Sequence, residues 1–355
     1  MRRDADLGQL AAAAKARLTA RLTAQLLAGE RASDPVAVAE RLLAVQGQDP
    51  RGARLAVRAR TEGLSAADVD RALTDERSLL ITWLNRGTLH LVRSEDYPWL
   101  HALTAPAQMT GNMRRLGQEG VSLEDAERGV SVIERALADE GPLTRDQIRE
   151  RVADAGVRTE GQALVHILFA AALRGLVVRG PMVDGKHAFV LVRDWLGKQK
   201  PVDRDKALPE LARRYLAGHG PATDRDLARW AGLPLRDART GLSAISSALE
   251  ESGEGLVDLP GREEPAELPP PRLLGPYEPL LLGWTSREDV LGTHQELVTI
   301  NGIFRPFALV KGRAAASWSM PRGEVVQKPF GRLAKADAAA LEEEAADVVR
   351  FLGGP

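Results

Sequence analysis

The sequence predicts an α+β fold in which tandem winged helix-turn-helix modules, three in all, precede a small C-terminal β-sheet or barrel. Three observations predict it. The first is an internal repeat, Gly141-Pro142-Leu143-Thr144-Arg145-Asp146-Gln147-Ile148, which returns as Gly220-Pro221-Ala222-Thr223-Asp224-Arg225-Asp226-Leu227. In each copy a threonine precedes an amide or acidic residue by three positions and an aliphatic residue by four, the pattern of a capping box opening an amphipathic helix. The second is a change of period after the first copy, from a helical stretch ending at Arg174-Gly175 to two β-branched or aromatic runs around Asp184-Gly185. That is a β-hairpin, with Lys186 and His187 at its tip. The third is a set of apolar segments from 296 to 319 separated by Asn301-Gly302 and Lys311-Gly312, which reads as successive strands joined by tight turns.

Taken in order, the elements follow from local signals. Asp34-Pro35 is an N-cap followed by proline at the first helical position, and it opens a helix that ends at Gln46-Gly47-Gln48. Asp49 precedes Pro50, which disfavours the α conformation at Asp49 and ends the helix before it. Positions i and i+2 lie on nearly opposite sides of a helix but on one side of an extended chain, so in an extended exit the two carboxamides converge on one small polar object such as a water. Ser65 and Asp68 cap another helix, and the segment 79–83 leads to Arg86-Gly87-Thr88-Leu89-His90-Leu91-Val92, a turn entering a strand. Alternation puts Thr88 and His90 on the face opposite Leu89 and Leu91. Ser122 and Asp125 form a further capping box, and a helix precedes each copy of the repeat. Residues 251–276, rich in Glu, Gly and Pro, read as a linker or long loop, and 335–352 as a closing helix. These signals divide the chain into an N-terminal module over 1–120, a second winged helix over 121–205, a third with its Pro-rich linker over 206–276, and a β-barrel-like module with its closing helix over 277–355.

Composition narrows the function. At 355 residues the chain suits several packed modules rather than one core. It has no cysteine, which excludes disulfides, thiolate metal centres and thiol nucleophiles and fits a reducing cytoplasm. No segment reaches membrane-span length, so no membrane partner is expected. The six histidines have no ligand spacing with one another, and no glycine-rich phosphate loop or nucleophile elbow appears, so neither metal nor cofactor is expected. Net charge is −1, so attraction to nucleic acid would need basic residues gathered on one face.

The glutamine pair before Asp49-Pro50, the Arg86-Gly87-Thr88-Leu89-His90 strand, the repeated helical modules and Leu281-Leu282-Gly283-Trp284-Thr285-Ser286-Arg287 together resemble the AlkZ-type winged-helix DNA glycosylases, over most of the chain. The resemblance implies a C-shaped cradle for double-stranded DNA and excision of bulky alkylated purines. It also implies unhooking of interstrand crosslinks and self-protection against a DNA-alkylating natural product. The family's catalytic motif is two glutamines, or a glutamine and an aspartate, separated by one small or aliphatic residue. Gln46 and Gln48 match it, with Gly47 between them.

The chemistry agrees with that resemblance. A purine alkylated at N7 or N3 already carries positive charge and leaves as a neutral base without prior protonation. What remains is to position water against C1′ and to set acceptor dipoles near the growing positive charge, which two amide oxygens can do. No lysine nucleophile is required, so the expectation is a monofunctional hydrolase acting as a monomer. Asp49 is either a neighbouring base or a turn former. His90 either contacts phosphate or lesion or fills a hydrogen-bonding place on a half-buried strand, and Arg86 either binds phosphate or pairs with a nearby acid. Arg51, Arg54, Thr88, Lys186 and His187 complete the candidate DNA contacts. A non-catalytic winged-helix DNA-binding regulator is the alternative reading.

Overall fold

Side-chain caps start the helices. Thr144 Oγ1 accepts from the Gln147 amide at 3.4 Å while Gln147 Oε1 accepts from the Thr144 amide at 2.8 Å, opening the helix Arg145–Asp154. Thr223 and Asp226 repeat the exchange at 3.1 and 3.0 Å at the start of Asp224–Ala231. Ser122 caps Leu123–Glu140, and Asp34, followed by proline, caps Pro35–Leu42. Each cap contributes about 1 kcal/mol by satisfying an amide that the helix cannot.

The structure is a computed structural model that describes residues 2–253, 255–262 and 268–353, with residues 2–11 described by backbone alone. It comprises two units. One takes the chain up to Val69, Pro209–Trp230 and the residues from Leu235 onward. Its sheet has four antiparallel strands in the order Val326–Pro329, Arg313–Ser319, Phe307–Val310, Arg272–Leu274, and the closing helix Lys335–Phe351 buries Leu341, Val348 and Phe351. The sheet is open. Instead of the strand expected from 296, the chain forms a 3-10 turn at Gln295–Leu297 and a single bridge between Val298 and Phe304. Pro306 lacks an amide proton for the ladder, and the regular strand starts only after it, at Phe307. The stretch 251–276 is less of a linker than its composition suggests. Glu250–Glu251 pairs with Val257–Asp258 around buried Leu256, and Arg272–Leu274 joins the larger sheet. Residues 254 and 263–267 of that stretch lie outside the described ones.

The other unit takes Asp70–Leu208 and Ala231–Pro234. Its strands are antiparallel and order as Thr88–Arg93, Leu79–Leu84, Val177–Val183, Lys186–Leu191, Leu143–Thr144. The helix Ala163–Leu173 is buried on nearly every face. Trp83 stacks between Phe169, at 5.5 Å, and Phe189, at 6.3 Å, and is a core anchor of this unit. Among the described residues no helix is long and apolar enough to cross a membrane.

Candidate active site

The glutamine pair does not sit at a helix end. The helix before it stops at Leu42, because buried Leu43 takes φ 63°, outside the right-handed helical region. Val45–Gln46 is then extended, as β-branched Val45 favours. The extended exit brings the two side chains together: Gln46 Nε2 donates to Gln48 Oε1. Gln46 is only 5% exposed, and among the described residues its Oε1 is buried with no hydrogen-bond partner. Gln48 is exposed. A buried carboxamide whose oxygen accepts nothing costs about 1–3 kcal/mol.

The chain directly after the pair is firmly held. Asp49 Oδ1 accepts from the Gly52 amide at 2.8 Å, capping Pro50–Arg58 with Pro50 at the first helical position. The first turn of that helix is pressed against 275–277: a Cβ on Gly52 would stand 2.4 Å from the Pro276 carbonyl oxygen, and one on Gly275 would stand 2.9 Å from Leu55 Cβ. At the other end Arg58, 3% exposed, donates to the Leu273 carbonyl (2.8 Å), Glu344 (2.7 Å) and Asp347 (2.8 Å). The helix that begins next to the glutamines is thus fastened to the C-terminal sheet and closing helix. Composition and period give no sign of this fastening, since Arg58 reads as one more member of a basic run.

The remaining candidates fall into two groups. In the unit of the glutamines, Arg51 is exposed, whereas Arg54 is buried and folds back on its own helix, donating to the Pro50 carbonyl at 2.9 Å. In the other unit, Thr88 and His90 point the same way on the strand, and His90 Nδ1 lies 2.8 Å from the Thr88 carbonyl oxygen. Burial first, then the nearby Arg86 cation, pushes the His90 pKa down to about 3, so the ring is neutral at physiological pH. Arg86 is half-buried. Lys186 stands at the hairpin tip but pairs with Asp146 at 2.7 Å, and His187 beside it is half-buried. Of the tryptophans in the glutamines' unit, Trp284 donates to the His219 carbonyl and Trp318 to that of Leu274, both from buried positions.

A cleft of about 830 Å³ in the same unit as the glutamines is lined by Arg31, Arg41, Arg213, Arg214 and Arg262 among others, and includes neither glutamine. Arg213 and Arg262 there are already held by Glu210 and Asp258. No group of three or more His, Asp or Glu side chains is arranged for a metal among the described residues.

A family model described as DNA glycosylase AlkZ-like matches residues 39–351. An interstrand DNA cross-link repair glycosylase of Streptomyces sahachiroi is 29% identical over 343 residues, covering 89% of this chain and 90% of that protein. Among solved structures, the Streptomyces sahachiroi DNA glycosylase AlkZ superposes with a TM-score of 0.78 at 27% identity, covering 96% of each chain.

Proposed function

Because the chain belongs to the AlkZ-like DNA glycosylase family, we propose that it hydrolyses the N-glycosidic bond of cationic, bulky N7- or N3-alkylpurines in double-stranded DNA, using Gln46 and Gln48. The observation that carries the proposal is the Gln46 carboxamide, whose Nε2 donates to Gln48 and whose Oε1 is buried without a partner among the described residues. A neutral amide acceptor cannot protonate a leaving group, so it suits a base that already carries its positive charge. As the C1′–N9 bond breaks, its electron pair neutralises the departing purine and positive charge grows on the sugar. The paired amide oxygens stabilise that charge and orient a water toward C1′. The water oxygen forms the new bond, one proton passes to solvent, and an abasic site remains. Undamaged bases, which would depart as anions, receive no acid from this pair and are left uncut.

We assign Leu123–Glu140, Arg145–Asp154 and Ala163–Leu173 with the hairpin Val177–Val183/Lys186–Leu191 to one winged helix, and the Thr223-capped helices with Glu250–Glu251/Val257–Asp258 to another, with a third at the N-terminus. Arg51, Arg86, Lys186 and His187 are the proposed backbone contacts. The cross-link repair activity named for the relative extends the proposal to crosslinks joined through N7 of guanine, and to protection from a natural product that makes them. The enzyme acts as a monomer. Release of free N7-alkylguanine from a defined duplex in chelator, leaving an intact strand with an abasic site, tests the reading. Tight, sequence-specific binding of undamaged duplex without base release would replace it with a regulator.

A further inference from the structure

We propose that Tyr277 is the specificity-determining contact of this site, its ring face receiving the cationic alkylpurine beside the glutamine pair. The inference rests on the glycosylase reading above. Tyr277 has φ 56°, a left-handed conformation that a bulky L-residue rarely takes, and an observed outlier of this kind points toward function. Its surroundings hold it there from several sides. The Tyr277 amide donates to the Phe304 carbonyl at 3.2 Å, and the preceding Pro276 carbonyl fills the space that a Cβ on Gly52 would need. The following Glu278 is buried, paired with Arg60, and accepts from the Leu280 amide at 3.2 Å. Gly52 belongs to the first turn of the helix that Asp49 caps, directly after Gln48. The backbone of Tyr277 is therefore fixed against the helix start that directly follows the motif, yet its ring is only half-buried, and among the described residues its phenol makes no hydrogen bond. One side of the ring rests near Phe304, with centroids 6.0 Å apart. Burial and then the Asp49 carboxylate push the phenol upward, so the side chain stays neutral in any physiological assay.

The face of a neutral phenol ring attracts a cation and offers a neutral base much less. An N7-alkylguanine is cationic while bound, and in the transition state the positive charge is still shared between purine and sugar, so the ring binds the lesion and its transition state about equally. Its effect belongs in affinity and KM, not in kcat. The test compares Tyr277→Phe, Tyr277→Leu and Tyr277→Gly. Affinity is read on a 2′-fluoro duplex carrying one N7-methylguanine against the same duplex undamaged, with kcat, KM and Tm read on cleavable substrate. Phe retains the preference for damage, whereas Leu and Gly lower it about tenfold through KM with kcat unchanged. Tyr277→Gly melts no lower than wild type, since glycine relieves the left-handed strain. Preference retained in both Leu and Gly variants, or lost only in step with Tm, overturns the proposal. So does a wild type with no preference. A wild type that prefers damage but releases no base removes the glycosylase reading alone, and the variants then decide Tyr277 by affinity.

Discussion

Two carboxamides separated by one residue meet where the chain runs extended, and the Leu43 kink ends the helix early enough for Val45 and Gln46 to do so. The Asp-Pro step made that exit legible in the sequence, through the restriction that proline places on the residue before it. The point at which the helix stops was not legible, because a buried leucine with positive φ carries no local signal. The same holds for Gly52 and Gly275, whose need for close approach comes from segments more than two hundred residues apart in the chain. Gly52→Ala places a Cβ 2.4 Å from a backbone oxygen that cannot rotate away. It should cost about 1–3 kcal/mol, read as a lower urea midpoint, and should slow base release by moving the start of the site helix. Unchanged stability would mean that 275–277 are not packed as described.

At the scale of elements, caps and turns were readable because each is a contract between residues three or four apart, as in Thr144 with Gln147 and Thr223 with Asp226. The C-terminal strands were readable only in part, since the sequence shows alternation but not that Pro306 delays regular pairing. Lys186 marks the hairpin tip correctly, but its pairing with Asp146 depends on how the hairpin lies over the helix Arg145–Asp154. Least readable was Arg58, which joins three elements from a buried position. Removing it leaves Glu344 with Arg272 at 3.1 Å and the Leu273 amide at 3.0 Å, but takes the donor from the Leu273 carbonyl, whereas Asp347 is 39% exposed and regains water. Arg58→Leu should therefore cost about 2 kcal/mol, the penalty of an orphaned carbonyl and lost packing rather than of a stranded buried charge. Chemical denaturation measures it, and a loss below about 1 kcal/mol would mean that the fastening is cosmetic.

For the whole molecule, a net charge of −1 leaves no bulk attraction to DNA, so the site must recognise damage by chemistry more than by charge. Burial lowers both His90 and His219 to about 3, against about 6.5 unfolded. A histidine whose folded value is depressed favours folding above its unfolded value, and that contribution is lost as pH falls. Each should remove about 2 kcal/mol of stability between pH 7 and pH 5, and Tm should fall over that window. A flat Tm from pH 7 to 5 would contradict the burial of both rings. Hydrolysis by two neutral amides, as proposed for Gln46 and Gln48, requires each of them for the chemical step. The most direct measurement is the single-turnover rate of N7-alkylguanine release by wild type, Gln46→Ala and Gln48→Ala at saturating enzyme, in chelator. Each substitution should slow release about 100-fold with DNA affinity unchanged. Release at the wild-type rate by both variants would contradict it.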